Sequence, residues 1–162
     1  MRTSAEIGEL AGALAKARGE MEQPACNRRN ANFGKGYADL SAVQDAAVPA
    51  LAKHGLAILQ AVDSVSGETV TISTTLVHES GQWMTPDPVT VPVEIPLSNA
   101  GKQIRTREQQ IGALTTYLRR YALAALLNLA SEEDADGNAP EGATVPGLAP
   151  GVIRAPGAAL GA

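Results

Sequence analysis

The stretch EQQIGALTTYLRRYALAALLNLA, Glu108–Ala130, carries the longest helical pattern in the chain. On a helical wheel Ile111, Leu114, Leu118, Ala122, Ala125, Leu126 and Leu129 share one face, the one expected to pack on a sheet. The opposite face carries Gln109, Thr116 and Arg120 in its first half but Leu123 and Leu127 in its second. A helix that is apolar nearly all round in its C-terminal half calls for a second neighbour, within the fold or from another copy of the chain.

The sheet this helix needs is written just upstream. Leu56–Val62 is a short apolar run, Ser66-Gly67 signals a turn, and Val70, Ile72, Thr74 and Leu76 alternate with Thr71, Ser73, Thr75 and Val77 as in a half-buried strand. A second turn signal stands at Ser80-Gly81. Beyond it Val89, Val91, Val93, Ile95 and Leu97 form one apolar face, while Pro86, Pro88, Pro92 and Pro96 occupy the alternate positions. Alternate strand residues aim their N–H groups at the same side, so these prolines strip donors from one edge and leave the other able to pair. The pattern predicts an α+β fold, a three-stranded antiparallel β-meander packed on the long helix.

Two helices are expected ahead of the sheet. Ile7, Leu10, Ala11, Leu14 and Ala17 recur at helical spacing, with Thr3 and Glu6 as a capping box, and a second pattern runs from Ser41 to Gly55, the glycine standing where a C-cap belongs. Between them, Glu22–Gly36 reads as an irregular loop containing Pro24, Arg28, Arg29 and Lys35. Ser98–Arg107 is a polar loop with Gly101, Lys102, Arg105 and Arg107. The division expected is a core domain over 1–131 and an acidic, then Gly/Ala/Pro-rich tail over 132–162 that buries too little apolar surface to order itself.

The 162 residues are one domain's worth, 44% apolar, with a formal net charge of −4. As a whole that charge disfavours a polyanion partner. The tail, however, holds Glu132, Glu133, Asp134, Asp136 and Glu141 against Arg154 alone, which leaves twelve acids and twelve bases in residues 1–131. Within that neutral body Lys102, Arg105, Arg107, Arg119 and Arg120 face only Glu108, and Arg28, Arg29 and Lys35 form a second basic cluster. Phe33 and Tyr37 accompany one cluster, Tyr117 and Tyr121 the other. Cations neutralise phosphates while rings offer stacking faces, which is the chemistry a nucleic-acid single strand needs. The competing reading is that the tyrosines fill the core and the arginines decorate a solvated face.

Catalytic patterns fail. Gly34-Lys35-Gly36 lacks the earlier glycine and the Ser or Thr of a phosphate loop, and Asp134 with Asp136 lacks the Gly and Glu of a calcium loop. His54 and His78 have no partners at triad or ligand spacing, and Asp87 with Glu94 is the one carboxylate pair in the sheet region. The single Cys26 forms no internal disulfide, no apolar run is long enough to cross a bilayer, and residues 1–21 do not read as a secretory signal. A soluble, reduced, intracellular protein is expected, without a catalytic residue, metal site or ATP requirement; no residue pattern points to a divalent cation.

Five segments resemble the Erf family of phage single-strand annealing proteins. They are Tyr37-Ala38-Asp39-Leu40, Leu51–Leu56, Thr75–Trp83, the block Gln110–Leu123 with its Thr-Tyr-x-Arg-Arg-Tyr-Ala-Leu core, and Glu132–Asn138, in matching order across about residues 35 to 138. The chain departs from the family pattern at Thr115-Thr116 and at Ala135, and neither departure touches the arginines. The resemblance implies subunits side by side in rings or helical filaments and ATP-independent annealing of complementary strands during homologous recombination in the bacterial host cytoplasm. With the basic clusters, this leads to the expectation that Arg119, Arg120, Lys102, Arg105 and Arg107 line a DNA groove with Arg28, Arg29, Lys35 and Lys53, joined by Tyr37, Thr116 and Tyr117. Of the two adjacent arginines, Arg120 is expected to reach DNA because the wheel places it opposite the core. The tail is expected to compete for that groove, to recruit a single-strand-binding protein or exonuclease, or only to solubilise. A metal-dependent nuclease and a structural virion oligomer are the alternatives.

Overall fold

A computed structural model of the chain describes residues 1–29, 36–65, 68–98 and 100–131. The Ser66-Gly67 turn, Phe33, Lys35 and the tail 132–162 lie outside them. In chain order the elements are β1 (Arg2–Thr3), α1 (Gly8–Glu20), β2 (Arg28–Arg29), β3 (Gly36–Tyr37), α2 (Leu40–Lys53), β4 (Leu56–Val65), β5 (Thr69–His78), β6 (Trp83–Thr85), β7 (Val89–Pro92) and α3 (Arg107–Leu127). The fold is α+β with antiparallel sheets.

β4 and β5 pair along almost their whole length, from Leu56↔His78 to Val65↔Val70, with one irregularity between Val62 and Ser64. The far side of β5 is shared, which differs from the single third strand predicted over Val89–Leu97. β6 takes one half (Leu76↔Met84, Val77↔Trp83) and β7 the other (Thr69↔Pro92 to Ile72↔Val89). Pro86 and Pro88 lie between them and supply no ladder donors, so the ladder breaks there. The proline reading of the edge holds: the Val93 N–H donates inward to Glu68 O at 2.7 Å, which turns Pro92 outward.

The helix starts differ from expectation in two places. Thr3 is not a helix cap; it sits in β1 opposite Met84, and α1 begins only at Gly8. The orphan N–H of Leu10 in the first turn is satisfied instead from the β5–β6 turn, by Gln82 Oε1 at 3.0 Å. α2 is capped by Asp39, whose carboxylate accepts from Ala42 N–H, and it stops where Gly55 takes φ +67°. α3 opens with a reciprocal capping box between Thr106 and Gln109 and closes on Asn128 in the left-handed region, short of the expected Ala130.

Two apolar clusters explain why α3 is apolar on two faces. In its first half Leu114 and Leu118, with Ile111 and Tyr117, pack on Val70, Ile72, Val91 and Val93 of the sheet. In its second half Leu123, Ala124 and Leu127 pack with Leu10 and Ala17 of α1, Val43, Ala47 and Leu51 of α2, and Leu56 and Leu76. The buried stripe thus crosses to the other side of the helix midway: Ala125, on the sheet-facing side of the wheel, is exposed, and Leu123 and Leu127 are buried. The second neighbour of the long helix lies within the same chain.

Candidate nucleic-acid interface

Arg120 falls where the stripe crosses over. Its residue is 8% exposed, so the solvent-facing placement expected for it is corrected. The guanidinium carbon lies 4.4 Å from the Tyr121 ring centroid, 5.1 Å from Tyr37 and 5.8 Å from Tyr117. Tyr117 and Tyr121, one helical turn apart, have centroids 4.3 Å apart at 42°. A planar cation suits this position because it stacks on π-faces and is more weakly hydrated than an ammonium. The three tyrosines are half-buried.

Tyr37 is brought to this cluster by a small two-stranded sheet, in which Arg28 lies opposite Tyr37 and Arg29 opposite Gly36. The residues that follow β3 are anchored twice. Ala38 N–H donates to Ser131 O at 2.9 Å, and Asp39 N–H donates to Asn27 Oδ1 at 3.0 Å. Asp39 Oδ1 accepts from the Ser41 hydroxyl at 2.6 Å and from Ala42 N–H at 3.0 Å, while Oδ2 accepts from Arg28 Nε at 3.1 Å. The Ser41 hydroxyl foremost, then the Ala42 N–H, holds the Asp39 carboxyl far below the usual carboxylate range.

A lowered folded-state pKa contributes stability that is complete above the unfolded value and is lost as pH falls beneath it. Asp39→Ala is therefore expected to cost about 1 kcal/mol at neutral pH as a lost N-cap. That deficit should shrink once pH drops below about 4, where the unfolded carboxyl takes up its proton. Urea unfolding of both proteins at pH 7 and pH 3 checks this, and a deficit that grows on acidification would contradict it.

The other cations are spread more widely than one groove. Arg119 lies on the opposite flank of α3 from the tyrosines, its Nε donating to Gln60 Oε1 at 3.3 Å while Gln60 Nε2 donates to Arg119 O at 2.9 Å. It lines a cavity of about 330 Å³ between α2, β4 and α3. Lys53 pairs with Glu20 at 2.8 Å, joined by His54 Nε2 at 3.1 Å, and ties the end of α2 to the end of α1; these contacts, Lys53 first, lower the Glu20 carboxyl. Lys102, Arg105 and Arg107 are exposed, and Arg107 is the first residue of α3. Thr116 is exposed, its hydroxyl donating to Gly112 O at 3.2 Å.

The structure thus brings together Arg28, Tyr37, Tyr117 and Arg120 and separates Arg119 and Lys53 from them. Tyr121 is the residue that sequence reasoning left off the site; its spacing of four from Tyr117 is the signal that places both rings on one flank. Gln110 is the second addition, one of the half-buried residues on that flank, with its Oε1 buried and unpartnered. Between Arg107 and Tyr117 the exposed residues of α3 include Gln109, Gly112 and Thr116, and Glu108 is the one acid in the helix.

Among the described residues no three His, Cys, Asp or Glu side chains converge as a metal site would require. Asp87 Oδ1 accepts from the Met1 ammonium at 2.7 Å, and Glu94 is exposed. No helix among the described residues is long and apolar enough to cross a membrane. The family model of the ERF superfamily matches residues 10–144. Neither the curated proteins nor the solved structures contain a match to the chain.

Proposed function

Since the chain belongs to the ERF superfamily, we propose that it binds single-stranded DNA along the tyrosine flank of α3 and anneals complementary strands without ATP, as part of phage homologous recombination. The observation that carries this reading is the cluster of three half-buried tyrosines around a buried arginine, together with exposed cations: Arg28 and Arg29 on β2, Arg107 at the start of α3. From Arg107 to Tyr121 the helix rises about 21 Å at 1.5 Å per residue, enough for several nucleotides. The cations neutralise phosphates and the rings give sequence-tolerant stacking.

Annealing needs no bond made or broken. Copies that hold one strand in a regular array lower the entropy lost when a second strand pairs, and their cations screen the repulsion between two phosphate chains. The acidic run begins at Glu132, directly after Ser131, whose carbonyl accepts from Ala38 N–H beside Tyr37, so its point of attachment is next to this flank. That position suits a segment that competes with DNA or recruits a partner such as a single-strand-binding protein or exonuclease.

One assay separates the reading from its alternatives. Two complementary labelled strands are mixed with the protein without ATP, with and without EDTA. Accelerated pairing unaffected by EDTA is expected. Strand cleavage in magnesium or manganese that EDTA abolishes would mark a nuclease, and neither pairing nor cleavage would mark a structural oligomer.

A further inference from the structure

The cavity of about 330 Å³ between α2, β4 and α3 is walled by Ala47, Val48, Leu51, Ile58 and Leu123. That is roughly twice the ~150 Å³ that admits a benzene ring, so it has room for two aliphatic side chains. Val48 in its wall is 54% exposed, an apolar surface left wet. Arg119 also lines the cavity, its Nε donating to Gln60 Oε1, and no carboxylate pairs with it among the described residues. Asp45, exposed on α2, does not line it. An apolar pocket with one cation in its wall suits a short apolar segment that carries an acid.

The chain's own tail contains such a segment. After Leu129 the next large apolar side chains are Val145 and Leu148, in the stretch EGATVPGL that begins at Glu141. Pro146 between them favours the extended polyproline conformation, in which residues three apart return to the same side, about 9 Å from each other. Val145 and Leu148 then face one way together. The tether is short as well: the Ser131 carbonyl accepts from Ala38 N–H at 2.9 Å, two residues ahead of α2. The stretch from Ser131 to Glu141 reaches up to about 33 Å, more than the ~21 Å length of α2. The segment is thus held within reach of the cavity of its own copy.

We propose that the segment Glu141–Leu148 docks in this cavity of its own copy, with Val145 and Leu148 filling it and Glu141 facing Arg119. The apolar pair carries the contact, and the ion pair orients it, since an exposed pair of charges contributes little alone. Arg119 lies on the other flank of α3 from the tyrosines, so the docked segment leaves Tyr37, Tyr117 and Tyr121 uncovered. The acidic run between Ser131 and Glu141 becomes a loop tied at both ends. This assignment does not rest on what the tyrosine flank binds.

Disulfide trapping in the full chain tests it, in a Cys26→Ser background with Val48→Cys and Ala149→Cys together, which keeps both Val145 and Leu148. Val89→Cys with Ala149→Cys, at an exposed valine on β7, is the control for what the tether alone allows. Under a mild oxidant the first pair should close within one copy at least tenfold faster than the control, read as loss of free thiol and a faster band on a non-reducing gel. Adding Val145→Asp and Leu148→Asp should bring it down to the control rate. Equal rates for the two pairs would overturn the proposal, as would a closure that ignores the two aspartates. So would a mixture of the single variants that forms dimers as fast as the double variant closes, which would put the contact between copies. Methyl NMR gives a second readout should Val48→Cys unfold the chain: Val145→Asp with Leu148→Asp should shift the Ile58 methyl signals and leave those of Ile72, in the other apolar cluster, in place. Superposable Ile58 signals would also overturn it.

Discussion

Arg120→Ala is expected to lower the free energy of unfolding by about 2–4 kcal/mol, against less than about 1 kcal/mol for the adjacent Arg119→Ala. The guanidinium is buried against three rings at 4.4 to 5.8 Å, and a cation–π contact is strongest where water is excluded. Removing it opens space beneath Tyr37, Tyr117 and Tyr121 and loosens the attachment of the β2–β3 segment to α3. Arg119, half-exposed and bonded to one glutamine, loses little when truncated. Arg120→Lys should recover only part of the loss, because an ammonium lacks the planar face. Urea midpoints for the three variants decide the matter. If Arg120→Ala proved as mild as Arg119→Ala, the cation would not be the centre of the cluster.

Tyr117→Leu and Tyr121→Leu should each weaken single-stranded DNA binding by about tenfold or more, measured where the variants remain folded, and each should lower the unfolding midpoint by less than Arg120→Ala, since each removes one ring of the three. Leucine keeps apolar cover over Arg120 but has no stacking face, and a base stacked on an aromatic side chain is worth about 1–3 kcal/mol. The preference should fall evenly across sequences, since every base has a π-face. Arg119→Ala, on the other flank, serves as the control and should bind as the parent does. Fluorescence anisotropy with a labelled oligonucleotide at fixed salt reads all three. Affinity that survives both leucines in folded protein would move the DNA path away from this flank.

These two substitutions also mark where sequence patterns stop. The long helix, the β4–β5 pairing and the donor-stripped proline edge are all local alternations of apolar and polar residues, and local patterns predict them. Arg120 was not legible because a helical wheel averages over the whole helix, and the buried stripe of α3 changes sides at its midpoint. Averaging put Arg120 opposite the core when it lies under it. The start of α1 follows a different rule: Thr3 pairs with Met84 in the ladder and Ser4 bonds to Trp83, some 80 residues away, and such pairing overrides a capping signal.

The site divides in the same way. Composition shows cations beside aromatic rings, yet only the fold shows which are near one another. Arg28 is drawn to Asp39 and Tyr37 by β2 and β3, a contact no spacing rule predicts. Arg119 and Arg120 are neighbours in the chain and sit on opposite flanks of the helix, because adjacent helical residues point about 100° apart and the packing changes between them. Lys53 is taken up by Glu20 at the far ends of α1 and α2. The net charge of −4 belongs to residues 132–162, so the body proposed to bind DNA is neutral and its cations would act by position.

The salt dependence of single-stranded DNA binding tests the proposed interface most directly. Arg29 on β2 and Arg107 at the start of α3 stand exposed, and each phosphate contact contributes about 0.7 to the slope of log affinity against log salt for a single strand. Arg29→Ala with Arg107→Ala should lower that slope by about 1.4. A parent slope retained in the folded double variant would contradict a DNA path along this flank.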